Sequence, residues 1–148
     1  GTPLHTYCPI SIGVRNLPIS DTEKYYVSFR RGNWSYSAGG TYKDGWMTAK
    51  VRDLGTYTVR IDTVPPVVTP LGKNTWRSTR NIRIKVRDNA TGIATYKVYV
   101  DGKFVLFGLK KGVLVIQDPE KIKKGVSHKL ELWVTDACGN ETYRKYAF

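Results

Sequence analysis

The chain has 148 residues, a net charge of +12, and 41% apolar and 24% charged residues. That length and balance suit one or two small globular domains. Cys8 and Cys138 are the whole cysteine supply, which excludes a disulfide scaffold or a zinc ribbon, and no apolar run approaches the length of a membrane span.

Ten Tyr, four Trp and 14 Gly favour strands joined by tight turns. Ile10, Ile12 and Val14 alternate with polar neighbours, and Tyr25, Val27 and Phe29 do the same. A polar loop, Asn16 to Glu23, lies between them. Trp34 and Tyr36 follow Gly32-Asn33, and Trp46 follows Asp44-Gly45, a dipeptide suited to a type I′ hairpin. These three aromatics are expected in the hairpin core. Met47, Ala49 and Val51 form the next alternating set, then Tyr57, Val59 and Ile61. Pro65-Pro66 stops this strand, since neither proline can donate to a sheet ladder. A stiff connector therefore hands a first β module, residues 1–62, over to a second, residues 63–148.

The second module alternates cleanly. Ile82, Ile84 and Val86 interleave with Arg83, Lys85 and Arg87, which share the outward face of one strand. Tyr96, Val98 and Val100 follow, then Asp101-Gly102 as a second hairpin turn, a returning strand from Phe104 to Phe107, and another over Val113 to Ile116. Leu130, Leu132 and Val134 alternate with Lys129, Glu131 and Trp133, and a last strand runs to Phe148. The fold class is all-β: two β-sandwich modules in tandem, the second immunoglobulin-like with about seven strands. The first module carries 8 basic and 5 acidic residues, the second 16 and 7. The charge excess thus sits in the second module, either as a solvated face or as an attraction for polyanions. No recognition helix, finger or ribonucleoprotein motif accompanies it, so nucleic acid is not the expected partner.

GGTYKDGW (Gly39–Trp46), LGTYTVRIDTVPP (Leu54–Pro66), VRDNATGIATYKVYVDGKFVL (Val86–Leu106) and HKLELWVTDACGN (His128–Asn140) stand in this order. Together they resemble the C-terminal β-sandwich region of Bacteroidetes secreted lysostaphin-like zinc endopeptidases, metallopeptidase family twenty-three. The likeness spans most of residues 25–148, with Thr91 where Ser is usual, and is slight over residues 1–24. It implies a periplasmic or outer-surface protein acting on peptidoglycan. Those peptidases hold zinc with H-x-x-x-D and H-x-H pairs. This chain has only His5 and His128, in neither pattern. The resemblance therefore places zinc in a catalytic domain upstream of Gly1, and no cofactor is expected here.

Other chemistry is thinly signalled. His5-x-x-Cys8 has a ligand-like spacing, but the remaining candidates, His128 and Cys138, lie in the other module. Cys8 and Cys138 read as two free, buried thiols, with a bridge between modules as the alternative. Asp88, Asn89, Asp136 and Asn140 end two strands and either offer oxygens to calcium or stabilise turns. His128 reads as a strand-edge residue. If the strands at 95–100 and 129–135 pair, Trp133, Tyr99, Lys97 and Lys129 share one outward face. Aromatics beside cations suit sugar rings with acidic substituents; packing on a neighbouring domain is the other use of such a face. The expected role is a non-catalytic accessory region of a cell-envelope peptidoglycan metallopeptidase, a spacer or docking module partnered by the upstream peptidase domain. The alternative is a carbohydrate- or polyanion-binding module that targets peptidoglycan or acidic glycans.

Overall fold

In the computed structural model, residues 6–16 and 19–148 are described; His5 and part of the loop before Glu23 lie outside them. The chain forms two units. The first holds Gly1–Val64 with Ala90–Gly92 and Ala137–Gly139; the second holds Pro65–Asn89, Ile93–Asp136 and Asn140–Phe148. The protein is all-β apart from short turns of helix, and no helix among the described residues is long and apolar enough to cross a membrane.

The first unit is built from β1 (Cys8–Gly13), β2 (Tyr25–Arg31), β3 (Trp34–Gly39), β4 (Thr41–Lys43), β5 (Trp46–Val51) and β6 (Thr56–Ile61). They make two antiparallel three-stranded sheets, in the orders β1-β5-β4 and β3-β2-β6. Period-two alternation turns Met47, Ala49 and Val51 inward to meet Tyr25 and Val27, and these five form the core. Asp44 and Gly45 both have positive φ (51° and 85°), the geometry a type I′ hairpin demands. The same alternation corrects one expectation. Trp34 and Trp46 are not hairpin core but 51% and 53% exposed. Trp46 precedes the inward Met47, so its side chain takes the opposite face, where it lies over Gly13. Trp34 leans edge-on against Phe29, at 5.6 Å between ring centroids, while half-buried Tyr36 packs closer, at 4.7 Å.

Buried Asp62 ends this unit's last strand. Its carboxylate accepts from the Val64 amide (3.1 Å) and from the Thr91 hydroxyl (2.6 Å). Threonine in place of serine thus keeps the hydroxyl donor. Neither cysteine forms a disulfide, but Cys8 is exposed and only Cys138 is buried, against the expectation of two buried thiols. Proline follows Cys8 on β1, whose burial begins only at Ile10.

The second unit contains β7 (Val67–Leu71), a one-turn helix α1 (Trp76–Thr79), β8 (Arg83–Arg87), β9 (Ile93–Val100), β10 (Lys103–Phe104), β11 (Phe107–Lys110), β12 (Val113–Ile116), β13 (Lys129–Asp136) and β14 (Glu141–Ala147). Two antiparallel four-stranded sheets, β10-β9-β13-β14 and β11-β12-β8-β7, enclose one core. Val98, Leu130, Leu132 and Val134 come from the first sheet and Ile84, Val86 and Leu114 from the second. Pro70 sits on β7, an edge strand, where a missing donor is tolerated. The run from Phe104 to Phe107 is not one returning strand. Phe104 pairs with Tyr99 in one sheet and Phe107 with Ile116 in the other. Val105 and Phe107 both point into the core, and the chain crosses the sandwich between them.

Candidate functional site

On β13 the apolar set faces the core, so Glu131 and Trp133 lie on the outer face. Antiparallel pairing then fixes their neighbours. Trp133 stands opposite Lys97 on β9 and Tyr143 on β14, and Tyr99 stands opposite Glu131 and Phe104. The result is an aromatic strip across all four strands of the sheet. Ring centroids are 5.9 Å apart from Phe104 to Tyr99, 5.6 Å from Tyr99 to Trp133 and 4.9 Å from Trp133 to Tyr143. At ~4.8 Å per strand spacing it is ~14 Å wide. The Lys97 ammonium lies 4.8 Å from the Trp133 ring centroid, a cation–π contact. The Tyr143 hydroxyl donates to Glu131 Oε2, which raises the phenol's pKa. Phe104 at one end is 51% exposed and Tyr143 at the other 38%.

Three of the residues read from the sequence, Trp133, Tyr99 and Lys97, therefore come together. Lys129 shares their face but sits four residues back along β13 from Trp133, beside Asp101, whose carboxylate accepts from the Lys129 amide (2.9 Å). Arg83, Lys85 and Arg87 do share one exposed face, but it belongs to β8 in the other sheet. They form a separate basic stripe. Phe104 and Tyr143 complete the strip, although neither was singled out from the sequence. In the last strand Thr142 is buried, but Tyr143, Arg144 and Lys145 are all exposed, so no clean alternation marked Tyr143.

Beyond Phe104 the surface dips into a hollow of about 550 Å³, lined by Lys103, Lys121, Lys123 and Val126. Its wall is His128, which is buried and not a strand-edge residue. Nδ1 lies 2.6 Å from Asp101 Oδ2 and Nε2 2.7 Å from the Lys123 carbonyl. The Lys123 carbonyl and an ionised Asp101 can only accept, so these two contacts suit the doubly protonated ring. Burial opposes that charge, but the Asp101 bond, the Lys123 bond and the Asp101 charge outweigh it and raise the pKa. Burial likewise opposes the charge on Asp101, and the His128 and Lys129 bonds overcome it and lower its pKa.

A pH dependence follows. The contribution of His128 is complete below its unfolded value of about 6.5 and fades as pH rises through the raised folded value. That of Asp101 is present above about 3.9 and is lost as pH falls through the depressed value. Melting temperature should therefore fall on going from mildly acid to alkaline pH, and His128→Gln should flatten that fall. An equal fall in the variant would assign it to other groups.

Two of the four calcium candidates have structural work. Asp136 Oδ1 accepts from the Asn140 amide (2.9 Å) and Oδ2 from its side-chain nitrogen (2.8 Å), closing the turn from β13 to β14. Asp88 is half-buried and Asn89 exposed just beyond β8.

A family model for a Zu5-like domain matches residues 1–62, within the first unit. No curated protein matches the chain.

Proposed function

We propose that this chain is a non-catalytic accessory region of a cell-envelope peptidoglycan metallopeptidase, in the periplasm or outside the cell, and that its second unit engages envelope glycan. The observation that carries the reading is the aromatic strip from Phe104 through Tyr99 and Trp133 to Tyr143. Sugar rings present C–H faces to aromatic rings, and Lys97 beside Trp133 supplies a cation for acidic substituents. The lysine-lined hollow next to Phe104 extends the same chemistry. Zinc chemistry belongs, in this reading, to a peptidase domain upstream.

Retention on purified peptidoglycan sacculi tests it. Tyr99→Ala with Trp133→Ala should weaken binding about tenfold or more, a loss of ~1.4 kcal/mol. Much of that loss should persist at about 0.5 M salt, where exposed charge attraction is screened. Unchanged retention would sink the reading. It would leave the strip as a docking face for the peptidase domain, which the chain with that domain attached would then show by protection of Trp133 from solvent.

A further inference from the structure

The first unit has a binding surface of different chemistry. In β2 the residues Val27 and Phe29 turn to one side of the β3-β2-β6 sheet, and Tyr26, Ser28 and Arg30 to the other. Register brings partners to that second side. Arg60 stands opposite Tyr26, Thr58 opposite Ser28, and Thr56 and Ser35 opposite Arg30. The side chains rim a hollow of about 480 Å³. Tyr26 and Ser28 form its floor and are only 9% and 8% exposed. Hydroxyls, one carboxamide (Asn33) and two guanidinium groups line it, with no carboxylate and no aliphatic side chain.

Among the described residues neither Arg30 nor Arg60 meets a carboxylate, as holds for every Lys and Arg side chain there except Lys121, which lies beside Asp118. Arg30 is oriented instead by its Nε bond to the Gly32 carbonyl (3.1 Å). Arg60 and Arg30 lie four residue steps apart along the paired strands, or ~14 Å at ~3.4 Å per residue. Two forked cations thus bracket a row of hydroxyls.

We infer that this hollow is an anion-selective glycan site, which takes a sugar chain bearing carboxylates. Guanidinium matches carboxylate in a bidentate pair, and Ser and Thr hydroxyls can both donate to and accept from sugar hydroxyls. Single-stranded nucleic acid is the competing polyanion. It binds by stacking bases on aromatic rings, and the lone aromatic in this lining, Tyr26, is buried in the floor. Apolar peptides find no apolar lining. The site is independent of the strip on the second unit.

The test uses a fluorescent hexagalacturonate as probe, with a neutral maltohexaose and a single-stranded oligonucleotide as comparison arms. All proteins carry Trp133→Ala, so that the strip is disabled. Arg30→Ser with Arg60→Ser should weaken hexagalacturonate binding about tenfold or more, the scale for losing two charge-assisted pairs. Lys43→Ser with Lys50→Ser removes equal charge from exposed positions of the same unit and should change it less than about twofold. Arg60→Lys keeps the charge, loses the fork, and should fall between them. Unchanged melting temperatures would exclude misfolding. Equal losses in both double variants would overturn the inference in favour of bulk charge. Tighter binding of the oligonucleotide would overturn it in favour of nucleic acid. If Trp133→Ala alone abolishes binding, this site fails while the strip stands.

Discussion

Replacing Trp76 with alanine is expected to remove about 3–5 kcal/mol from the second unit, the range for truncating a buried aromatic. The indole is fully buried. It packs edge-on against Tyr146 (6.1 Å) and Phe148 (5.6 Å), and its Nε1–H donates to the Leu71 carbonyl at 2.8 Å. Truncation opens a cavity between the end of β14 and the helical turn that joins β7 to β8, and it removes that carbonyl's indole donor. Domains of this size are stable by about 5–15 kcal/mol in total. A large part of the margin would therefore go, and the melting temperature should drop by more than about 12 °C. Trp133→Ala, on the outer face, should cost about 1 kcal/mol. Urea titrations of the two variants compare them directly. If Trp76→Ala costs no more than Trp133→Ala, Trp76 is not the plug of this core.

The contrast between these two tryptophans shows what could be read in advance. Trp133 lies in a strict alternation with Leu132 and Val134, so its face was legible before any pairing was known. Trp76 lies in GKNTWRST, a polar stretch with no period, and nothing local marks it as buried. Its position depends on the left-handed Gly72 and Arg80 that bracket the helical turn. The Asp-Gly turns at Asp44 and Asp101 carried their signal in the dipeptide. Lys111-Gly112 adopts the same two positive φ angles (51° and 76°), but only its glycine advertises them, since Lys is not a residue that favours the first position. The crossing at Val105 was hidden because Phe104 to Phe107 is mostly apolar, and an apolar run does not say which sheet each half joins.

Functional residues divide along the same line. Lys97, Tyr99 and Trp133 follow from alternation and one correctly expected pairing, β9 with β13. Phe104 and Tyr143 needed the positions of the sheet's outer strands. The hollow of the first unit was less legible still. Arg30 and Arg60 are far apart in sequence, and only the antiparallel register of β2 with β6 sets them on one face. Net charge pointed away from them: the first module carries +3 and the second +9. A sum over a module says nothing about whether a particular cation has an acid beside it. Lysines and arginines of the second unit outnumber those of the first, yet its basic stripe and its aromatic strip lie on different sheets.

Gly55→Ala is expected to be the most damaging small change in the first unit, costing about 1–3 kcal/mol or more through overpacking. A Cβ at residue 55 would collide with the Phe29 ring at Cε2, would meet Cζ at 2.8 Å, and would approach the Arg30 carbonyl to 2.9 Å. Neither neighbour gives way easily. Phe29 is fully buried and boxed in by Tyr36 (4.7 Å) and Tyr57 (5.2 Å). The Arg30 backbone is held where β2 pairs with Thr56 of β6. Relief must therefore come from moving β6 relative to β2, and that pairing sets the spacing of Arg30 from Arg60. The variant should lose stability and hexagalacturonate affinity together, whereas Arg30→Ser with Arg60→Ser should lose affinity alone. Amide exchange along β2 and β6 would localise the damage, with faster exchange near Arg30 and Thr56. A Gly55→Ala protein with unchanged melting and unchanged exchange would show that the ring and strand have room the structure does not provide.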